Sequence, residues 1–276
     1  MILFVTTLML LCSCTGVLAL YIAFPPDATD ILIMGLDSRG NEGNATRTDS
    51  IVVVGVNPGN LDVSLMSIPR DIFINAPGYG LQRINTINVL AEINQPGTGP
   101  DLLARSIENN FGIGVDNYVR LDFQAFVDLV DAVGGITIDV PYTVVDNAFP
   151  TANYGTMSVR FESGVQHMDG ATALIYARTR HQDDDYRRAE RQQQVISALS
   201  RKLANPLNWI PAWVAIQSNM ETDLSIVDMA LIAPTMILRA GDFNQLVVNR
   251  EYILPGDGYV VPNYNALRPY IAEHFD

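Results

Sequence analysis

Lysine is nearly missing from this chain. Of its 17 basic residues, Lys202 is the single Lys and all others are Arg, which removes Schiff-base chemistry and the lysine of a Walker phosphate loop. Cysteine occurs at Cys12 and Cys14 and nowhere later, so neither disulfides nor thiolate metal sites hold a folded domain together. His167, His181 and His274 are too few and too scattered for an obvious metal site, and no His-Glu-x-x-His, Gly-x-Ser-x-Gly or Gly-x-Gly-x-x-Gly pattern is present. Only His181, beside Arg180, lies near other candidate groups. Positive charge is also short: 17 Lys+Arg against 30 Asp+Glu give a net charge of −13. A general nucleic-acid binder needs a positive footprint to displace counterions, so no nucleic-acid partner is expected. What remains is a chain that is 48% hydrophobic, rich enough to fold and unlike a disordered or disulfide-stapled peptide.

Charge is absent altogether from Met1 to Phe24, as is proline. About 20 apolar residues cross a hydrocarbon core as a helix, and Pro25-Pro26-Asp27 ends the run. We read residues 1–24 as an uncleaved transmembrane anchor and 25–30 as a linker, because the basic start and cleavage site of a signal peptide are weak or missing. Leu11-Cys12-Ser13-Cys14 resembles a bacterial lipobox, and lipidation at Cys14 is the alternative. Either tethers the domain to a membrane. No Lys or Arg precedes the segment, so the positive-inside rule gives no orientation.

Short apolar runs at Asp30 to Gly35 and Ile51 to Val56 read as buried strands, with Asn57-Pro58-Gly59-Asn60 turning into a partner strand over Leu61 to Ile68. Helical spacing begins at Pro100-Asp101 with Leu102, Leu103 and Ile107 and closes at Gly112; Phe123, Phe126, Val127 and Val130 repeat it up to Gly134-Gly135. Ile136, Ile138 and Val140 alternate as a strand. The stretch around Pro150 reads as polar and irregular, followed by a short strand at Val159 to Phe161 and a long helix at Asp185 to Ala204. Ser225 caps one more helix. With no repeat and no linker after residue 30, the expectation is an α/β fold: a single mixed β-sheet flanked by helices (α/β/α), residues 31–276, behind an N-terminal transmembrane helix.

Five arginines, Arg178, Arg180, Arg187, Arg188 and Arg191, crowd into 14 residues of an acidic chain. Like charges so close repel unless something anionic lies among them. Arg188, Arg191 and Gln192 fall at i, i+3 and i+4 on one helix face, while Arg178 and Arg180 share a face only if extended. Alternation of Ile175, Ala177 and Thr179 with Tyr176, Arg178 and Arg180 predicts a strand there. Guanidinium forks suit phosphate or carboxylate oxygens. The competing reading is a solvated helix whose arginines pair with Asp183, Asp184, Asp185 and Glu190.

Gly35-Leu36-Asp37-Ser38-Arg39 stands where a buried strand ends, the usual place for a ligand in an α/β sheet. Arg47-Thr48-Asp49-Ser50 enters the next strand and Ile68-Pro69-Arg70-Asp71 leaves the third. Each Asp-Arg pair alone fits a surface ion pair. Together they offer hard oxygen ligands for Mg²⁺, which takes one or two protein carboxylates and completes its shell with water and phosphate.

The succession of these pieces resembles the LytR-CpsA-Psr family of bacterial envelope proteins. The matching segments, in the family's order across roughly residues 30 to 205, are residues 33–39, 47–50 and 67–71, Val133-Gly134-Gly135-Ile136 through Val140-Pro141, Met168-Asp169-Gly170 with Ala173 to Arg180, and Arg188 to Gln193. Two departures stand out. The family often has Phe-Gly where this chain has Tyr186-Arg187, and the usual leucine before Asp169-Gly170 is Met168.

The resemblance implies a metal-assisted transferase that takes a glycopolymer from a polyprenyl pyrophosphate carrier and attaches it by a phosphodiester to peptidoglycan, with the domain on the extracytoplasmic face of the cytoplasmic membrane. By position, Asp37 and Asp49 would hold Mg²⁺ (or Mn²⁺). Arg70, Arg178, Arg180, Arg188 and Arg191 would grip the pyrophosphate, with Arg39 and Gln192 as weaker candidates and Asp37 or Asp71 as acceptor of the attacking hydroxyl's proton. An apolar tunnel for the lipid would be lined by Phe123, Phe126, Val127 and Val130, or by Leu199 and Leu203, although ordinary core explains each of them. Two rivals remain: a hydrolase releasing the lipid phosphate to water, and a non-catalytic lipid-pyrophosphate-binding or regulatory protein.

Overall fold

The computed structural model describes residues 18–37, 43–151, 155–180 and 185–275, without the side chain of Asp185. Most of the expected anchor, with Cys12 and Cys14, lies outside them. Residues 18–23 are helical, and among the described residues no helix is long and apolar enough to cross a membrane.

In chain order the first elements are β1 (Thr29–Leu36), β2 (Thr48–Asn57), β3 (Asp62–Ser67), β4 (Phe73–Ala76), β5 (Gly80–Arg83), α1 (Ile84–Asn94), α2 (Gly99–Phe111), β6 (Asn117–Leu121) and α3 (Phe123–Ala132). There follow β7 (Ile136–Val140), β8 (Val144–Pro150), β9 (Thr156–Phe161), β10 (Gly164–Met168), α4 (Gly170–Arg178), α5 (Asp185–Leu203) and α6 (Trp209–Ile216). The chain closes with β11 (Met220–Thr222), α7 (Ile226–Leu238), β12 (Asn244–Val247), β13 (Ile253–Pro255), β14 (Val260–Pro262) and α8 (Tyr264–His274).

Six strands form the central sheet in the order β11-β6-β1-β2-β3-β12. It is mixed: β1, β2 and β3 run antiparallel in succession, while β6 lies parallel to β1 and β12 parallel to β3. Among the described residues, four two-stranded ribbons supplement it. The near-continuous apolar runs of β1 and β2 follow from burial on both faces. Leu32, Met34, Ile51, Val53 and Met66 face one layer of α1, α2 and α8, and Val52, Val54, Val56 and Leu65 face Ile196 of α5 and Ile232 and Met236 of α7. The expected α/β/α arrangement is therefore present. Beside it, the ribbon β7-β10 packs with α4 and α5 into a second cluster around Tyr176, Ile138 and Val195.

Two readings need correction. The stretch around Pro150 is β8, paired with β9 through a register shift between Asp146 and Phe149 that hides the alternation. Arg178 is not on a strand but ends α4, which starts with the Asp169 side chain accepting from the Thr172 N–H at 2.8 Å. Burial of Ala173, Tyr176 and Ala177 follows helical spacing, and the apparent alternation at Ile175 to Thr179 came from the edge of that face.

Candidate active site

The site lies where β1 ends and β2 begins. A register shift between Gly35 and Leu36 loosens the ladder there, and the Asp37 N–H donates to the Arg47 carbonyl at 3.1 Å. Gly35 is needed at this crossing, since a Cβ would sit 3.0 Å from the Ser50 Cβ. The shift turns Asp37 and Asp49 toward one cavity of about 310 Å³. Its wall also holds Arg70 from the loop after β3, Asp146 from β8, Arg178 and Arg180 from the end of α4, and Arg188 and Gln192 from the first turns of α5.

Each acid is held by a guanidinium. Arg70 Nη1 donates to Asp49 Oδ2, and Arg178 Nη2 stands 3.7 Å from Asp37 Oδ1. The Arg178 guanidinium lies over the Phe123 ring at 4.1 Å and near that of Phe149 at 5.6 Å, a placement that fixes its plane and suits Arg better than Lys. Asp146 is buried; it accepts from the backbone N–H of Arg180 at 3.2 Å and of Ala148 at 3.0 Å. Ser50 Oγ donates to Gln192 Oε1 at 3.2 Å, while the neighbouring Gln193 amide donates to Ser67 Oγ and the Leu246 carbonyl, both at 2.9 Å. Those last bonds pin the middle of α5 to the sheet.

The arginines predicted from sequence thus meet from separate stretches of chain, with exceptions. Arg191 does not line this cavity; its Nη2 donates to the Thr179 carbonyl, so it braces the segment that carries Arg178 and Arg180. Arg187 is turned away, 2.8 Å from Glu190 and over the Tyr142 ring at 5.8 Å, so the extra charge at the departure from the family pattern is spent outside. Asp71 is not in the wall either: Arg83 at 3.2 Å and Arg70 at 3.5 Å engage it. Of the two acids considered as proton acceptor, only Asp37 faces the cavity. Arg39, His181, Asp183 and Asp184 lie outside the described residues. Asp146, Phe123 as a stacking partner and Phe149 carried no motif that would have flagged them.

Among the described residues no three His, Cys, Asp or Glu side chains gather as a metal cluster. Two carboxylates on one cavity are a set that suits a hard divalent ion whose remaining ligands are water and phosphate oxygens. Among the described residues the wall holds four guanidinium groups and three carboxylates, an excess of positive charge in a strongly acidic protein. That favours a doubly anionic group over a cation alone.

A second cavity, of about 340 Å³, continues from the first and shares with it Gly35, Ser50, Phe123, Arg178 and Gln192. Its walls are almost entirely hydrocarbon, from Phe126 and Leu129 of α3, Leu174 of α4, Val195, Ile196, Leu199 and Leu203 of α5, and Ile216 of α6. Phe123, Phe126, Leu199 and Leu203 therefore line a cavity, whereas Val130 is fully buried core and Val127 is not in the wall.

A buried network braces the approach to Asp49. Arg120 of β6 reaches Glu92 Oε1 at 2.5 Å and Glu221, and Asn88 donates to the carbonyls of Asn44 and Thr46 at 2.8 and 2.9 Å. Burial alone would raise the Glu92 pKa, but the Arg120 hydrogen bond and charge, with the N–H groups of Gly97 and Gly99, hold it below the ordinary value. Tyr118, half-buried and next to Glu221, is pushed up to about 12.

Comparison with known proteins shows the family and the fold. The sequence model of the LytR_cpsA_psr family matches residues 22–267. The polyisoprenyl-teichoic acid–peptidoglycan teichoic acid transferase TagU of Oceanobacillus iheyensis is 33% identical over 205 residues, covering 72% of this chain and 60% of its own. The corresponding transferase TagV of Bacillus subtilis is 29% identical over 260 residues, 89% of this chain and 64% of its own. The chain thus spans somewhat under two thirds of the length of both relatives. The crystal structure of B. subtilis TagV superposes with a TM-score of 0.72 at 27% identity, covering 90% of this chain and 97% of that one.

Proposed function

The chain belongs to the LytR_cpsA_psr family, and on that premise we propose that it is a membrane-anchored phosphotransferase, its domain outside the cytoplasm, that moves a glycopolymer from a polyprenyl pyrophosphate carrier onto peptidoglycan. The observation that carries this reading is the junction of two unlike cavities. One is lined by arginine and aspartate, the other by hydrocarbon, and Arg178 and Gln192 belong to both. Such a pair matches a molecule with a diphosphate at the end of a long apolar chain. The names of the two transferase relatives point the same way.

In this reading the prenyl chain occupies the apolar cavity, which excludes water from it. Arg70, Arg178, Arg180 and Arg188 bind the non-bridging phosphate oxygens, and Phe123 and Phe149 keep the Arg178 plane fixed. A sugar hydroxyl of peptidoglycan attacks the phosphorus that carries the glycopolymer and gives its proton to Asp37; the bond to the bridging oxygen breaks and polyprenyl phosphate leaves. Asp37 and Asp49 are the residues that would hold Mg²⁺ or Mn²⁺, and a divalent ion there supplies further neutralisation of phosphate charge. Phosphoryl transfer asks mainly for alignment and charge neutralisation, so prealigned guanidinium groups supply much of the catalysis.

The test uses the full chain with a short polyprenyl pyrophosphate sugar, Mg²⁺ and a peptidoglycan oligomer. Glycan-linked product is expected. Free sugar phosphate and polyprenyl phosphate without linkage would replace the proposal by hydrolysis, and binding without turnover would remove the enzyme claim. Arg178→Ala and Arg180→Ala should each lower turnover by about 10²–10³, the usual loss for one donor to a developing negative charge, with the thermal midpoint unchanged within a few degrees. Near-normal rates in both would overturn the site.

A further inference from the structure

Both tryptophans of the chain, Trp209 and Trp213, stand on α6. This helix is apolar almost all round and largely uncovered. Leu207 just before it is 82% exposed and Ile210 77%, with Trp209, Trp213 and Val214 also exposed. At the start of α7, Ile226 is 81% exposed and Val227 65%. The two helices belong to one surface, because Trp209 of α6 and Met229, Ile232 and Met236 of α7 line a common cavity of about 170 Å³. Exposed apolar area of this extent marks an interaction site rather than ordinary surface.

Three observations say what covers it. First, the helical residues 18–23 end the charge-free segment Met1–Phe24, and they are tied to α7: Tyr21 Oη donates to the Leu231 carbonyl at 2.8 Å and lies 2.8 Å from Thr235 Oγ1. Second, no Lys or Arg occurs between Lys202 and Arg239, while Glu221, Asp223 and Asp228 do, so an anionic polymer finds no counter-charge here. Third, the face adjoins the apolar cavity. Along α5, Arg188 and Gln192 stand at the polar end, and Leu203 stands 15 residues on, about 22 Å away at 1.5 Å per residue. Leu203 is in the wall of both the long apolar cavity and the small cavity beneath Trp209.

We propose that the outer face of α6 and the start of α7 form a bilayer-docking surface that seats the far end of the apolar cavity on the acyl chains. The inference rests on the membrane-anchored reading given above and adds an orientation to it. A prenyl chain then passes sideways from the bilayer into the protein without crossing water, while its diphosphate rides to the arginines at the other end of α5. Indole rings suit this position because one edge is polar and the rest apolar. The Trp209 N–H is already used by the Leu203 carbonyl at 2.7 Å, which leaves its hydrocarbon edge outward.

The tryptophan emission reports on α6 alone. The full chain is reconstituted into phosphatidylcholine vesicles with plain or brominated acyl chains. Co-flotation measures anchoring, and bromine quenching measures contact of α6 with the acyl region. Quenching by about two-fold or more, as for a helix lying 5–10 Å into the boundary, is expected, and phosphatidylglycerol should not strengthen it. Ile210→Glu combined with Val214→Glu should leave co-flotation intact and abolish most of the quenching, with the unfolding midpoint confirming the fold. Protein that floats with the vesicles but shows equal emission in both lipids would overturn the docking surface alone, as would undiminished quenching in the double variant. Protein that fails to float would overturn the anchor and the docking surface together.

Discussion

Arg120→Met is the perturbation whose outcome follows most directly from the structure. Methionine keeps the hydrocarbon length and removes the charge. The Arg120 side chain is 1% exposed and that of Glu92 4%, so the substitution strands a carboxylate in the interior. Breaking a buried pair by deleting one partner costs about 3–5 kcal/mol. Glu92 keeps two other donors, the N–H of Gly97 at 2.8 Å and of Gly99 at 3.1 Å, which places the expected loss near the lower end, about 3 kcal/mol. The contact with Glu221 adds little, because that side chain is 40% exposed. In a protein of this size about 3 kcal/mol corresponds to a midpoint lowered by roughly 6–12 °C.

The pH dependence gives the sharper test. Glu92 is held below its ordinary value of 4.5, so the native state binds fewer protons than the unfolded one near that pH. Its contribution is complete above the unfolded pKa and is lost as pH falls through the folded value. Without Arg120, burial remains and the largest lowering influence is gone, so Glu92 in the folded variant holds its proton to a higher pH than in the parent. The variant is then penalised most at neutral pH and relieved when Glu92 takes up a proton. Thermal unfolding of both proteins between pH 4 and 8 should show a gap that is widest near pH 7 and narrows on acidification. A gap below about 1 kcal/mol at pH 7, or one that fails to narrow, would refute the account of this network.

Two further substitutions probe packing. Gly170→Ala sets helix propensity against sterics: alanine is the better helix former by about 1 kcal/mol, but its Cβ would stand 2.3 Å from the Val127 carbonyl oxygen, and backbone cannot yield as a side chain does. A loss of about 2 kcal/mol by denaturant titration is expected, and a stabilised variant would mean that α3 and α4 separate easily. Leu174→Trp fills part of the apolar cavity. A long-chain prenyl donor should show a KM raised about tenfold, equivalent to 1.4 kcal/mol, while a short soluble donor turns over normally; equal effects on both would disconnect that cavity from the lipid.

Much of the sheet was legible because its central strands are buried on both faces and bounded by Asn57-Pro58-Gly59-Asn60 and Gly35. The helix caps at Gly112 and Ser225 were legible for the same local reason: a left-handed residue at one and a side-chain acceptor at the other. Arg178 was assigned to a strand because nine residues of helix with small and aromatic side chains alternate as readily as they turn. The segments α6, β11 and α8 gave no signal, since α6 has almost no polar face and the others are short or interrupted, as by Pro269 within α8. At the site, the arginines and the two acids announced themselves by crowding and by their place at strand ends. Asp146 and Phe149 did not, because a register shift in a ribbon far along the chain delivers them. The same holds for Arg120 and Glu92, whose meaning depends on a pairing across 28 residues that no local pattern encodes.

Gln193 fastens α5 to Ser67 and Leu246, so the helix behaves as a fixed rod with its ionic contacts at one tip and its greasy flank running to the other. A guest must therefore satisfy both at once, in the right order and at the right span. Inorganic diphosphate answers only the first half of that demand and a plain prenyl alcohol only the second, which makes the rod a gauge for amphiphiles rather than a receptor for either end.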